Sequence, residues 1–323
     1  MAEKHIDVSV IKHNAAKIAD TAKLIAVVKA DAYGHGALKI AKAVESMVAG
    51  FAVASAEEAE TLADAGIGKD IIVFGTTLPY RHRKNIIRSV TETGEDVAEG
   101  ERVAVKIDTG MHRYGVAPED APQLIDRLNE KGALHSVYTH LRCPSDAAIT
   151  EKQYALFNAC TAGADCIRHV AASRGLQYEK TYRNGTVRCG IALYGGIKPF
   201  RQAMSIYGKV QCVKSVPRGE GTGYGNGILD YDTFVAAVDI GYADGYRRTD
   251  AERYVFLGGK RRKVISVCMD CTLVEADASV KAGDVAEFLG KHISADELSS
   301  AWGTDPYELF TTFGRGLKIS YDE

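Results

Sequence analysis

Short apolar runs alternate with longer amphipathic stretches over the first two-thirds of this 323-residue chain, and that alternation limits its fold more than any other feature. Residues 24–29 (Leu-Ile-Ala-Val-Val-Lys) read as a buried strand, and residues 36–49 follow with helical spacing. Residues 50–55 form the next strand and 56–65 a helix rich in Glu and Ala; the runs at 71–75, 103–107, 134–140, 169–173 and 190–195 continue the series. Strand and helix in succession at this pitch imply a parallel sheet. About eight such units in roughly 200 residues suit a closed barrel better than an open doubly wound sheet.

Beyond about residue 205 the texture changes. Residues 210–216, 233–241, 254–257, 263–268 and 284–289 are strand-like and separated by Gly, Asp and Pro turns. Only 294–302 looks helical, with Ser294 as its N-cap. The expected architecture is therefore α/β: a (β/α)8 TIM-like barrel over residues 1–205, followed by a mostly-β C-terminal domain over residues 206–323.

Charge and composition exclude several classes of function. Lys and Arg total 40 against 42 Asp and Glu, a net charge of -2, so nothing is available to neutralise a nucleic-acid backbone. The longest apolar stretches, 24–28 and 47–56, are too short to cross a bilayer. The first residues lack the apolar core of a secretory signal, so the expected location is cytoplasmic. Seven cysteines at irregular spacing do not form a disulfide framework. Cys268-Met-Asp-Cys271 is formally a C-x-x-C, but a structural zinc needs a second ligand pair that the histidines do not supply, and no metal site is expected.

Parallel barrels carry their chemistry at the C-terminal ends of the strands. Reactive side chains fall at those ends here: Lys29 closes the first run, Lys106 lies in the 103–107 strand with Asp108-Thr-Gly-Met-His-Arg113 beyond it, and His140, Ser173 and Arg188 mark later strand ends. A single lysine after an apolar run is usually a chain reaching for solvent. A lysine on a rim shared with several cations is different, because burial and neighbouring positive charge free its lone pair for Schiff-base formation.

Val27-Val-Lys-Ala-Asp-Ala-Tyr-Gly-His-Gly36 resembles the cofactor-lysine signature of the alanine racemases. The resemblance extends through Phe51-Ala-Val-Ala-Ser55, Lys106-Ile-Asp-Thr-Gly-Met-His-Arg113, Arg188-x-Gly-Ile-Ala-Leu-Tyr-Gly195, Gly241-Tyr-Ala-Asp-Gly-Tyr246 and Cys268-Met-Asp270, so matching motifs run from Ile6 to Tyr307. It implies a pyridoxal 5'-phosphate (PLP) enzyme that racemises alanine with two bases. Lys29 would carry the cofactor and act on one face, and Tyr224 of the other subunit of a homodimer would act on the opposite face. By the same resemblance, His140 hydrogen-bonds that tyrosine and Arg188 faces the pyridine nitrogen. Tyr33, Ser173, the amides of Gly190 and Ile191, and Tyr307 hold the phosphate. Arg113 binds the cofactor's phenolic oxygen and the substrate carboxylate, oriented by a carbamylated Lys106, while Tyr242, Met269 and Asp270 line the substrate pocket, the last two contributed across the dimer.

The chain departs from the family pattern at its edges. A Trp-x-Glu element before Ile6 is absent, and Arg315-Gly-Leu-Lys-Ile-Ser-Tyr321 is a blurred version of the usual ending. Arg248 matches an arginine of the substrate entrance, but Ser266 replaces another, Asp305 stands where an apolar residue is common, and Leu141-Arg142-Cys143 follows His140. These changes bear on substrate choice, with serine, lysine or arginine as rivals to alanine. A non-catalytic PLP-binding protein is a rival of another class, but it would lack a β-domain carrying a second base. A decarboxylase of the same two-domain plan is disfavoured by the lysine motif and by Arg188.

Overall fold

The computed structural model describes residues 1–75, 81–177, 185–224 and 227–322. In the unit formed by Ile11–Leu193, eight parallel strands run in the order Ile167–His169, Leu134–Tyr138, Val103–Lys106, Ile86–Val90, Ile71–Val73, Gly50–Val53, Lys23–Val27 and Thr186–Cys189. The two ends of the run meet, since Ala172 bridges Arg188 and the Arg188 N–H donates to the Ala171 carbonyl at 3.0 Å. The expected barrel is thus observed. Gly50–Val53, Ile71–Val73 and Val103–Lys106 are buried along their whole length. Strands covered on both faces read as unbroken apolar runs, which made them visible in the sequence. Helices seal the outside: Ala121–Glu130 buries Leu124, Ile125 and Leu128 in one cluster with Val103, Val105 and Val137. Each such side chain contributes about 1.5–3 kcal/mol.

Three expectations for this unit need correction. Residues 190–195 are turns; the strand is Thr186–Cys189, and the Leu193 N–H folds back onto the Gly190 carbonyl at 2.8 Å. The run at 169–173 begins earlier and stops sooner, as Ile167–His169, and Ser173 opens the 3-10 turn Ser173–Gln177. Ile86–Val90 was not expected at all, because Arg88 interrupts its apolar pattern. That guanidinium is buried by pairing with Glu101 at 2.8 Å and with Glu95. A charge so matched sits inside a sheet that sequence periodicity reserves for apolar residues.

Met1–Val10 and the chain from Tyr194 onward make the second unit. Its sheet runs Thr233–Val238, Thr272–Ala276, Lys260–Val267, Tyr254–Leu257, Val285–Leu289, Met204–Val216, Glu3–Asp7 and Lys318–Asp322. Thr233–Val238 also pairs with the far half of Met204–Val216, so six of the strands form a ring and the two terminal strands extend it. Ser294 caps Ala295–Ala301 as expected, accepting the Glu297 N–H at 3.2 Å. A second helix, Pro306–Thr312, was missed. Its signals were Asp305, which accepts the Tyr307 and Glu308 N–H groups at 3.0 and 3.2 Å, and Pro306 in the first turn. Among the described residues, no helix is long and apolar enough to cross a membrane.

Candidate active site

Lys29 stands one residue beyond the Lys23–Val27 strand, on the C-terminal rim of the barrel. The next four residues, Ala30, Asp31, Ala32 and Tyr33, all take left-handed backbone angles, with φ of 52, 52, 54 and 54°. Left-handed residues other than glycine cost about 1–2 kcal/mol each, so this turn stands only because several contacts hold it. The Ala30 N–H donates to Glu58 Oε1 at 2.6 Å, the Ala37 N–H donates to Asp31 Oδ1 at 2.7 Å, and the buried His35 ring sits 2.9 Å from the Tyr33 carbonyl. The turn delivers buried Tyr33 to Gly190, where a Cβ would lie 2.4 Å from the tyrosine hydroxyl. A side chain at that position would displace the tyrosine ring. Ser173 Oγ accepts the Gly190 and Ala192 N–H groups at 3.1 and 3.2 Å, so its own hydrogen remains available to a ligand.

The other cations of the rim converge on the same region. Lys106 ends its strand, is buried, and donates to the Tyr114 carbonyl. Burial and then Arg113 draw its amine down to about 8, against Asp108. Asp108 Oδ1 accepts the N–H groups of Gly110, Met111 and His112 at 2.9–3.0 Å, fixing the loop that presents Arg113. Gly115 closes that loop, since a Cβ there would fall 2.8 Å from the Asp108 nitrogen. Lys29 is lowered from the ordinary lysine value by burial and by Arg113, opposed by Glu58. His140 is held down to about 3 by burial and by Arg188, Arg113, Lys106 and Lys29 together. One imidazole that feels all four cations is the clearest sign that they share a site. Gln153 steadies the loop around it, donating to the His140 carbonyl at 3.3 Å and to Thr109 Oγ1 at 3.2 Å.

Arg188 lies fully inside the rim. Its Nη1 donates to the His169 carbonyl at 2.6 Å and to His169 Nδ1 at 2.8 Å, and its Nη2 donates to the Thr139 and Val170 carbonyls at 2.6 and 3.1 Å. Burial brings its guanidinium to about 10, which leaves it charged at neutral pH. His169 is pressed well below its usual range and stacks on Tyr138 with ring centroids 5.1 Å apart. Because His169 Nδ1 accepts from Arg188, its hydrogen sits on Nε2, a buried atom without a partner among the described residues. Sequence reasoning missed Glu58, Thr139, Tyr138 and His169. Ser55-x-x-Glu58 is a legible capping signature, whereas the contacts to Ala30 and Arg188 join residues far apart in the chain.

The remaining expected residues lie in the second unit, Tyr224, Tyr242, Met269 and Asp270 in loops and turns and Tyr307 in the Pro306–Thr312 helix. Tyr242 opens a 3-10 turn whose Tyr242 and Ala243 N–H groups donate to the Cys268 and Met269 carbonyls at 3.0 and 2.8 Å, so Tyr242 sits beside Met269 and Asp270. Gly241 permits this, because a Cβ would come 2.2 Å from the Met269 oxygen. The same turn meets the end of the helix bearing Tyr307, through the Gly314 N–H and the Asp244 carbonyl at 2.8 Å. Gly223 lies over Ser266 so closely that a Cβ would be 2.8 Å from the serine Cβ, and Tyr224 next to it is 71% exposed. Gly225, the last residue of that motif, lies outside the described residues. Ser266 thus supports the backbone before Tyr224, and Asp305 spends its carboxylate on a helix N-terminus. Cys268 and Cys271 are free thiols.

The family of alanine racemase N-terminal domains matches residues 6–198 of this chain, and that of alanine racemase C-terminal domains matches residues 203–321. An alanine racemase of Vibrio atlanticus is 33% identical, with 99% of both chains covered. One of Pseudomonas entomophila is also 33% identical, over 96% of both. Among solved structures, the alanine racemase of Streptomyces lavendulae superposes with a TM-score of 0.90 at 28% identity, covering 100% of this chain and 97% of its own. That of Bartonella henselae, with covalently bound pyridoxal phosphate, gives 0.88 at 27% identity over 99% of each.

Proposed function

The chain belongs to the alanine racemase family, and from that premise we propose a residue-by-residue account of how it interconverts L- and D-alanine with PLP. The observation that carries the account is the convergence of Lys29, Lys106, Arg113 and Arg188 around His140, which puts the amine that would carry the cofactor beside the guanidinium groups that would meet its ring and the substrate carboxylate. The donor set fits PLP. It offers a lysine amine with a weakened hold on its proton, a serine hydroxyl with its hydrogen to give and braced by the Gly190 turn, the neighbouring Ile191 backbone, and a buried guanidinium. When bound, PLP supplies the electron sink that makes the substrate's Cα–H acidic enough to remove.

Lys29 would hold the cofactor through its amine and, once the substrate's own amine has taken that place and released the lysine, would exchange a proton with one face of Cα. Tyr224, from the partner chain of a cytoplasmic homodimer, exchanges a proton with the other. Tyr33, Ser173, Gly190, Ile191 and Tyr307 hold the phosphate. Arg188 would face the ring nitrogen; both of its Nη atoms are held by the described residues His169, Thr139 and Val170, which fixes the guanidinium in place. It stays charged and so leaves that nitrogen unprotonated. His140, kept neutral, accepts from Tyr224. Arg113 binds the substrate carboxylate, with Tyr242 and, from the partner chain, Met269 and Asp270 lining the pocket. Asp305 has its carboxylate engaged by the Tyr307 and Glu308 N–H groups of a helix N-terminus instead of being left free to pair with a lysine or arginine substrate, which favours alanine. Incubating each L-amino acid with protein and PLP, then resolving enantiomers by chiral chromatography, tests the reading. D-alanine should form fastest; faster turnover of serine, lysine or arginine would replace alanine, and no D-product from any would end the racemase reading.

Lys106 carries a carbamate in this account. A carbamate forms only from a neutral amine, and the neutral fraction of Lys106 grows as pH rises through about 8. Its negative charge would then meet Arg113 where the free ammonium repels it. The intact mass should show one added CO2 at about pH 9 in bicarbonate and lose it at about pH 6, in proportion to the neutral amine. KM for alanine should rise as the adduct is lost. An unmodified Lys106 across that range would remove the carbamate from the site.

A further inference from the structure

We propose that Glu58 is a positioning residue for Lys29, its carboxylate gripping the backbone immediately after the lysine and so aiming the amine; the role rests on Lys29 carrying the cofactor. Glu58 belongs to a capping box at the start of Ala56–Asp64. Ser55 Oγ accepts the Glu58 N–H at 3.2 Å, and Glu58 Oε2 accepts the N–H groups of Ala54 at 2.7 Å and Ser55 at 3.3 Å. Capping uses that one oxygen. The other, Oε1, reaches across to the Ala30 N–H at 2.6 Å, a bond that does nothing for the helix. The adjoining strands already pair here, with the Val28 N–H on the Ala52 carbonyl at 2.9 Å. One carboxylate therefore ties the end of the lysine's strand to the end of its neighbour.

What it holds there is costly. Ala30 is the first of four consecutive left-handed residues, none of them glycine, and its N–H precedes any bond the turn makes within itself. Release of Ala30 would let the turn relax toward right-handed angles and swing the Cα of Lys29 away from the rim. The carboxylate also acts through space: of the charged groups that face Lys29, Arg113 repels its proton and Glu58 retains it, while neutral His140 adds no charge.

Glu58→Gln keeps the size and one acceptor oxygen but turns an NH2 group toward an N–H donor. Glu58→Asp keeps the charge on a shorter arm. Ser55→Ala breaks the same capping box from the other side and leaves the Ala30 bond alone. Each cofactor-free protein is mixed with PLP across pH, following the visible absorbance of lysine-linked cofactor, its rate of appearance and its pH midpoint, with the melting temperature measured alongside. Glu58→Gln should slow attachment by about tenfold, as loss of one charge-assisted bond implies, and move the midpoint to lower pH. Glu58→Asp should be slow with an unmoved midpoint, and it serves alone if the Gln variant does not fold. Ser55→Ala should melt earlier with wild-type rate and midpoint. Wild-type attachment in Glu58→Gln, or equal slowing in Ser55→Ala, would reduce Glu58 to a helix cap. Failure of the wild-type protein itself to attach PLP at Lys29 would overturn the cofactor reading, and this inference with it.

Discussion

Lys29→Ala is expected to leave a folded protein that attaches no PLP and retains less than about one-thousandth of wild-type racemisation, because in the proposed mechanism the substitution removes both the covalent anchor and one of the two bases. Stability should hardly change. The lysine is only partly buried, and its ammonium stands among like charges whose mutual repulsion the alanine relieves. The competing site is Lys106, whose amine is lowered to about 8 and is chemically capable of the same linkage. It is already engaged with the Tyr114 carbonyl, and in the proposed account it is carbamylated and no longer a nucleophile. Borohydride reduction of the wild-type protein followed by peptide mapping separates the two. Cofactor on the peptide containing Lys29 supports the assignment, and cofactor on Lys106 overturns it, whatever the activity of the alanine variant.

Lys29 was legible because two independent signals met on it: the end of a buried apolar run, and a ten-residue motif. The barrel was legible for a related reason, since strands buried on both faces write themselves as uninterrupted Val, Ile and Ala. Pairing hid other elements. Ile86–Val90 carries Arg88, whose charge is answered by Glu95 and Glu101 from further along the chain. Glu3–Asp7 has a single apolar residue, Ile6, among Glu, Lys, His and Asp, and its place between Met204–Val216 and Lys318–Asp322 depends on partners some 200 and 315 residues away. Glu58 and His169 were missed for the same reason. Nothing local distinguishes a capping glutamate that also reaches Ala30, or a strand-end histidine that also accepts from Arg188. Long-range contacts decide such roles, and periodicity does not contain them.

Shared sites would make two inactive variants complement each other. The two bases must approach opposite faces of a flat cofactor, and Lys29, standing on a barrel rim, reaches only one of them. Tyr224 belongs to the other unit, and it is 71% exposed, with Met269 at 57% and Tyr242 at 39%. Three large side chains so exposed on adjoining loops support a surface that a partner chain covers. A two-fold dimer covers two such surfaces at once, because the contact is the same in both directions. Lys29→Ala and Tyr224→Ala homodimers should each be nearly inactive. Unfolded together in equal amounts and refolded, they form heterodimers in which one site carries both substitutions and the other carries neither. Random pairing makes half the dimers mixed, each with one intact site of two, so about a quarter of wild-type activity should return. If both bases came from one chain, every site would keep a defect and none would return. Heterodimers confirmed by native mass spectrometry but devoid of activity would therefore overturn the shared site and leave Tyr224 without its assigned role.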